Sequence, residues 1–138
     1  MKAKMIYLRH LVTKYPVSCL LIAMIWVLCL IPIPETPLDQ VKLIDKWTHV
    51  TFYITLGLAI SIEYLRCHRK VNWRRLLVGA WLAPLLMGGL IEIVQATCTG
   101  GRRSGEWLDF AADSIGSTLA MLIGILLVVC FSRARRET

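Results

Sequence analysis

Apolar residues along this chain gather into long runs, and polar residues collect at the ends of those runs. Four runs are long enough to read as membrane helices, over residues 17–34, 45–65, 76–97 and 106–131. About 20 apolar residues suffice to cross a hydrocarbon core of about 30 Å. The pattern predicts an all-α polytopic membrane protein, a bundle of four transmembrane helices in a single domain over residues 1–138. Pro32, Pro34 and Pro37 close the first run and force an extended connection after it. Pro84 and the Gly88–Gly89 pair let the third run kink and approach a neighbour closely. In the fourth run Asp109, Asp113, Gly116, Ala120 and Gly124 repeat at a spacing of three or four. The two acids thus share one stripe with small residues suited to tight packing, and face the bundle.

The polar residues at the run ends form an ordered series. Asp45 and His49 lie four apart, hence on one helical face, with Lys46 between them and Trp47 at interfacial depth. Glu92 and Gln95 share a face near the end of the third run. Ser104 is the expected N-cap of the fourth, with acids in the first turns where the helix dipole favours them. The turn between these runs holds Gly100, Gly101, Gly105, Arg102 and Arg103, an anion-receptive combination of guanidinium groups and free backbone N–H. Ionisable side chains inside membrane helices are costly, so each of these needs a partner or a task. Glu63, three residues before Arg66, reads as a structural pair reaching for the headgroups.

Composition agrees with the membrane reading: 57% of the 138 residues are hydrophobic, and the net charge is +7. No room is left for a soluble module, and the basic excess needs no nucleic acid, because the lysines and arginines flank the apolar runs. Twelve of the 16 Lys and Arg residues fall in the N-terminal segment, the 66–75 loop and the C-terminus, against four in the other two connections. The positive-inside rule then puts both termini in the cytoplasm and the polar run ends on the extracytoplasmic side. Residues 1–15 read as a basic interfacial helix leading into an uncleaved anchor, since IPIPETP offers no small-residue cleavage site. Of the five cysteines only Cys98 falls in an extracytoplasmic connection, so neither a disulfide framework nor a cysteine-rich zinc site is expected.

The order Asp45-Lys46-x-x-His49, Glu92-x-x-Gln95, Gly-Arg-Arg-Ser, Asp109 and Asp113-x-x-Gly116 resembles the VanZ-like family of bacterial membrane proteins. The resemblance covers roughly residues 30–130. It implies a multi-pass protein of the bacterial cell (inner) membrane and a link to resistance against the lipoglycopeptide teicoplanin. It supplies no reaction. Asp113 stands where that family often has asparagine, which adds a negative charge here.

Three readings of the cluster stay open. In the first, Arg102, Arg103, Ser104, Gln95 and Lys46 bind the headgroup of an amphiphilic, lipid-linked or lipoglycopeptide ligand whose chain lies between helices. In the second, the protein is an enzyme. His49, oriented by Asp45, and one of Glu92, Asp109 or Asp113 act as acid and base on such a substrate. A divalent metal held by His49, Glu92, Asp109 and Asp113 is a sub-case of that reading; no cofactor is predicted outright. In the third, Arg102 and Arg103 merely neutralise the acids and the network fixes helix register.

Overall fold

The computed structural model describes residues 2–31, 43–100 and 105–137. Among them every regular element is helical: α1 (Lys2–Lys14), α2 (Pro16–Leu30), α3 (Ile44–Cys67), α4 (Trp73–Cys98) and α5 (Trp107–Glu137). Three helices are long and apolar enough to cross a membrane, namely α3, α4 and the Trp107–Phe131 part of α5. The fourth expected span is shorter than expected. Helix α2 has 15 residues and stops at Leu30, with Ile31 in extended conformation (φ −77°, ψ 144°). The cause is Pro32, whose ring drives the residue before it out of the helical region. Residues 32–34 lie outside the described part of the chain.

Large apolar side chains stand on the outside of the bundle, among them Leu86, Ile93, Leu126 and Val27. A water-soluble protein of this size does not present such a surface. Trp47 and Trp107, at the starts of α3 and α5, are exposed, as is Trp73 at the start of α4. They mark the two ends of the apolar belt, where indole rings favour the membrane–water boundary. Six hydroxyl groups along the helices are satisfied locally: Thr51, Thr55, Ser61, Thr97, Ser114 and Thr118 each donate to the carbonyl four residues earlier. Those six donors are thus met within their own helices, as hydrocarbon surroundings require.

Helix α3 is the centre of the bundle, and its most extensive partner is α5. The small-residue stripe on α5 makes that approach possible. A Cβ at Gly116 would lie 2.6 Å from the Val50 carbonyl oxygen, and one at Gly124 would lie 2.7 Å from Ser61 Oγ. On α3 the matching position is Gly57, which faces Ala120 and the carbonyl of Ala80. That carbonyl belongs to a π turn, Val78–Leu82, in which the Ala83 N–H reaches Val78 O. Pro84 follows at once and has no N–H to return to Ala80, so the expected irregularity of α4 takes the form of a widened turn.

One connection and one buried acid differ from expectation in a way that matters for packing. The loop between α3 and α4 is only residues 68–72, because Arg66 lies in the last turn of α3, which ends at Cys67, while Trp73, Arg74 and Arg75 open α4. Asn72 caps α4 by accepting from the Arg75 N–H at 3.2 Å. Glu63 is buried rather than at headgroup level. Its carboxylate accepts from the N–H groups of Val17 (2.8 Å) and Ser18 (3.1 Å) and from the Ser18 hydroxyl. It therefore satisfies the first turn of α2, where Tyr15 offers no side-chain cap and the helix starts at Pro16. The role is structural, as expected, but the partner is a helix start and not Arg66.

Candidate functional site

The polar ends of three helices meet at one end of the bundle. The α3–α5 stripe packing sets the register: it lowers Asp113 opposite His49, one turn above Gly116. His49 Nδ1 and Asp113 Oδ1 are 2.8 Å apart, with both side chains almost fully buried. Asp113 is thus the partner of His49, not Asp45 as the four-residue spacing suggested. Asp45 sits in the first turn of α3 with its side chain 55% exposed and turns to Lys46 at 3.3 Å. Exposure and a competing ammonium outweigh the shared face.

Lys46 gathers the remaining acids. Its Nζ lies 2.6 Å from Glu106 Oε2 and also pairs with Asp109 Oδ1, whose side chain is only 7% exposed. Lys46 is therefore the countercharge of Asp109 among the described residues, a role the sequence reading gave to the arginines. Arg102, Arg103 and Ser104 lie outside the described residues, as does Gly101.

Helix α4 brings Glu92 and Gln95 to the same end. Glu92 Oε2 accepts the backbone N–H of Glu106 at 2.7 Å, which ties the start of α5 to α4. Among the described residues its other oxygen, Oε1, is buried and has no hydrogen-bond partner. Gln95 faces the opposite way. Its Nε2 donates to the Cys29 carbonyl at 2.7 Å, and among the described residues its Oε1 is buried and unpartnered. The chain turns away from α4 at Gly100, which adopts φ +62°, a left-handed geometry suited to glycine just past a helix end. Gly105 then packs against the Glu92 carbonyl so closely that a Cβ there would collide with it. At least this glycine serves helix packing.

The polar spacing overlooked Tyr53, and Gly88 was expected only for a kink and close helix approach. Tyr53 lies four residues after His49 on the same face, a periodicity that could have revealed it. Gly88 on α4 leaves space for Asp113 Oδ2 and the Tyr53 hydroxyl, which would lie 2.5 and 3.1 Å from a Cβ there. The hydroxyl approaches Asp113 without completing a hydrogen bond. No protein-family model, curated protein or solved structure matches this chain.

The site therefore stands on its own geometry, which has two parts. One is a buried set of carboxylates, imidazole and phenol on three helices. The other is a groove of about 250 Å³ between α4 and α5, whose walls are mainly Gly89, Ile93, Ala96, Trp107 and Phe110. Glu92 and Glu106 also line it, so carboxylates stand along an otherwise apolar wall. Donor atoms of His49, Glu92 and Asp113 lie within 4.8 Å of one another, as do those of Asp45, His49 and Asp109.

Proposed function

We propose that this chain is a VanZ-like multi-pass protein of the bacterial cell envelope. Its polar helix ends bind the headgroup of an amphiphilic ligand, lipid-linked or lipoglycopeptide, at the extracytoplasmic face. The observation that carries this reading is Glu92, whose unpartnered buried Oε1 belongs to a residue lining an apolar groove open between two helices. A buried acceptor left unmet costs about 1–3 kcal/mol, and a ligand that supplies a donor recovers it. An apolar groove beside such an atom suits a molecule with a chain and a polar head. The unmet atoms on Glu92, Gln95 and Asp113 are all acceptors, so the part of the headgroup they select carries hydroxyl, amine or amide donors. Its anionic part falls to Arg102 and Arg103 of the connecting turn. The orientation is supported by the Lys/Arg asymmetry, and the ordered polar residues support the VanZ-like assignment.

The test is an envelope phenotype, such as teicoplanin susceptibility of the host cell, scored against membrane abundance. Glu92→Gln, Arg103→Ala and Asp109→Asn should abolish the phenotype while the protein stays abundant. Phenotype falling only in proportion to abundance would show that the cluster is a packing device and sink the reading.

The His49–Asp113 contact favours a second reading, in which the site is an enzyme and this pair moves a proton on a lipid-linked substrate. His49→Gln separates the two. A binding site loses about 1 kcal/mol for one altered hydrogen bond. An acid–base catalyst loses roughly a hundredfold or more in rate.

A further inference from the structure

Charge within the buried set does not close among the described residues. Among the described residues three carboxylates are buried at this end, Glu92, Asp109 and Asp113. Lys46 compensates Asp109 and is already shared with Asp45 and Glu106. Among the described residues Glu92 and Asp113 are left with His49 alone. Even a protonated imidazole supplies a single charge for two carboxylates, and a net charge buried in a membrane bundle is costly. A divalent cation would balance two carboxylates and a neutral imidazole.

The geometry points to such an ion: we infer that His49, Glu92 and Asp113 form a binding site for a divalent metal. Each offers a ligand atom, all three residues are buried, and the three atoms lie within 4.8 Å of one another. Among the described residues Asp113 Oδ2, beside the Tyr53 hydroxyl, and Glu92 Oε1 are buried without a completed hydrogen bond, so each keeps a lone pair for a metal. Ligands held at about 2.1 Å from a metal lie about 3–3.5 Å apart. Closing the set therefore needs a shift on the order of 1 Å, within the range of a glutamate rotation. Glu92 is already held through Oε2 by the Glu106 N–H, a second contact of the kind that orients metal ligands. One imidazole with two carboxylates suits a borderline ion such as Mn²⁺, Fe²⁺ or Zn²⁺; the absence of thiolate from the set argues against Cu⁺. The alternative set, Asp45, His49 and Asp109, is weaker because Lys46 already occupies both acids.

The inference gives to an ion the Glu92 and Asp113 acceptors that would otherwise meet headgroup donors, leaving the headgroup to Gln95 and the ion itself, and it is tested on ligand-free protein. The full chain is purified in detergent, stripped with chelator, and titrated with Mn²⁺ under electron paramagnetic resonance. The expected result is one ion per chain, nitrogen coupling from a coordinated imidazole, and a raised melting temperature. His49→Gln and Glu92→Gln should each weaken uptake at least tenfold, while Glu63→Gln, a buried carboxylate at the other end of α3, should leave it intact. Should the substituted proteins fail to fold, the nitrogen coupling in the unsubstituted protein decides alone. Absence of uptake, absence of that coupling, or equal uptake by the His49 and Glu92 variants overturns the site. None of those results touches the headgroup reading, and loss of ligand binding with the metal retained would refute that reading alone.

Discussion

Removal of Lys46 gives the sharpest test of how this end of the bundle is held together. Its ammonium meets three carboxylates, but their environments differ. Asp45 and Glu106 are 55% and 46% exposed, so each of those pairs is worth about 0–1 kcal/mol. Asp109 is 7% exposed, and stripping the partner from a buried charge costs about 3–5 kcal/mol. Lys46 keeps 18% exposure, which screens the pair and favours the lower end of that range. Lys46→Met is thus expected to destabilise the protein by about 3 kcal/mol. Asp109→Asn added to Lys46→Met should restore most of this, because no uncompensated charge remains. Reversible unfolding in mixed micelles, run as a double-mutant cycle, measures both numbers. Interhelical hydrogen bonds in membrane proteins average only about 0.6 kcal/mol in such cycles, so a coupling of 2 kcal/mol or more, on the order set for buried charges, identifies charge as the source. A Lys46→Met protein within about 1 kcal/mol of the unsubstituted one, or a double variant no better than the single, would refute the reasoning.

Four further outcomes follow from the fold. Glu63→Ala should cost about 3 kcal/mol and Glu63→Gln about half that in the same unfolding assay, since alanine leaves two backbone donors of α2 unmet while glutamine still accepts one. Gly116→Leu should separate α3 from α5 and prevent accumulation of folded protein. Gly79→Ala, where the nearest atom is Ile60 Cγ2 at 3.8 Å, should be silent. With intact cells, an impermeant thiol reagent should reach exposed Cys98 but not exposed Cys67, and labelling at Cys67 would invert the orientation assigned to the polar end.

Much of this was legible in the sequence, for identifiable reasons. Helical periodicity placed Asp113, Gly116, Ala120 and Gly124 on one stripe, and because small residues fix how closely two helices can approach, the stripe also fixed the face. The ends of α3, α4 and α5 could be brought together on charge asymmetry alone. Partner choice could not. Asp45 and Asp113 are equally good candidates for His49 by residue type, and only the depth of each along its helix separates them: Asp45 lies in a solvated first turn, Asp113 a full turn inside α5. Glu63 was equally ambiguous, because its partners are backbone N–H groups 45 and 46 residues away, which carry no signature in sequence. The early end of α2 was available from Pro32, whose effect on the preceding residue is local and general.

The two fastenings of α2 have a consequence for the membrane around it. Glu63 holds its first turn to α3, and the Gln95 amide holds the Cys29 carbonyl in its last turn to α4. Its 15 residues measure about 22 Å along the axis, against a hydrocarbon thickness of about 30 Å. A helix free at either end could relieve that hydrophobic mismatch by sliding or reorienting; one pinned at both ends cannot. Were α2 to cross the bilayer beside the three longer helices, the lipid would have to adapt instead, by thinning along this flank at a modest cost for each ångström. Beside the Gln95 end of α4 the leaflet surface would then be drawn inward, toward the depth of Glu92 between α4 and α5. A short, doubly anchored helix would in this way lower the headgroup layer to the site, and would favour residence in the thinner membranes of the cell.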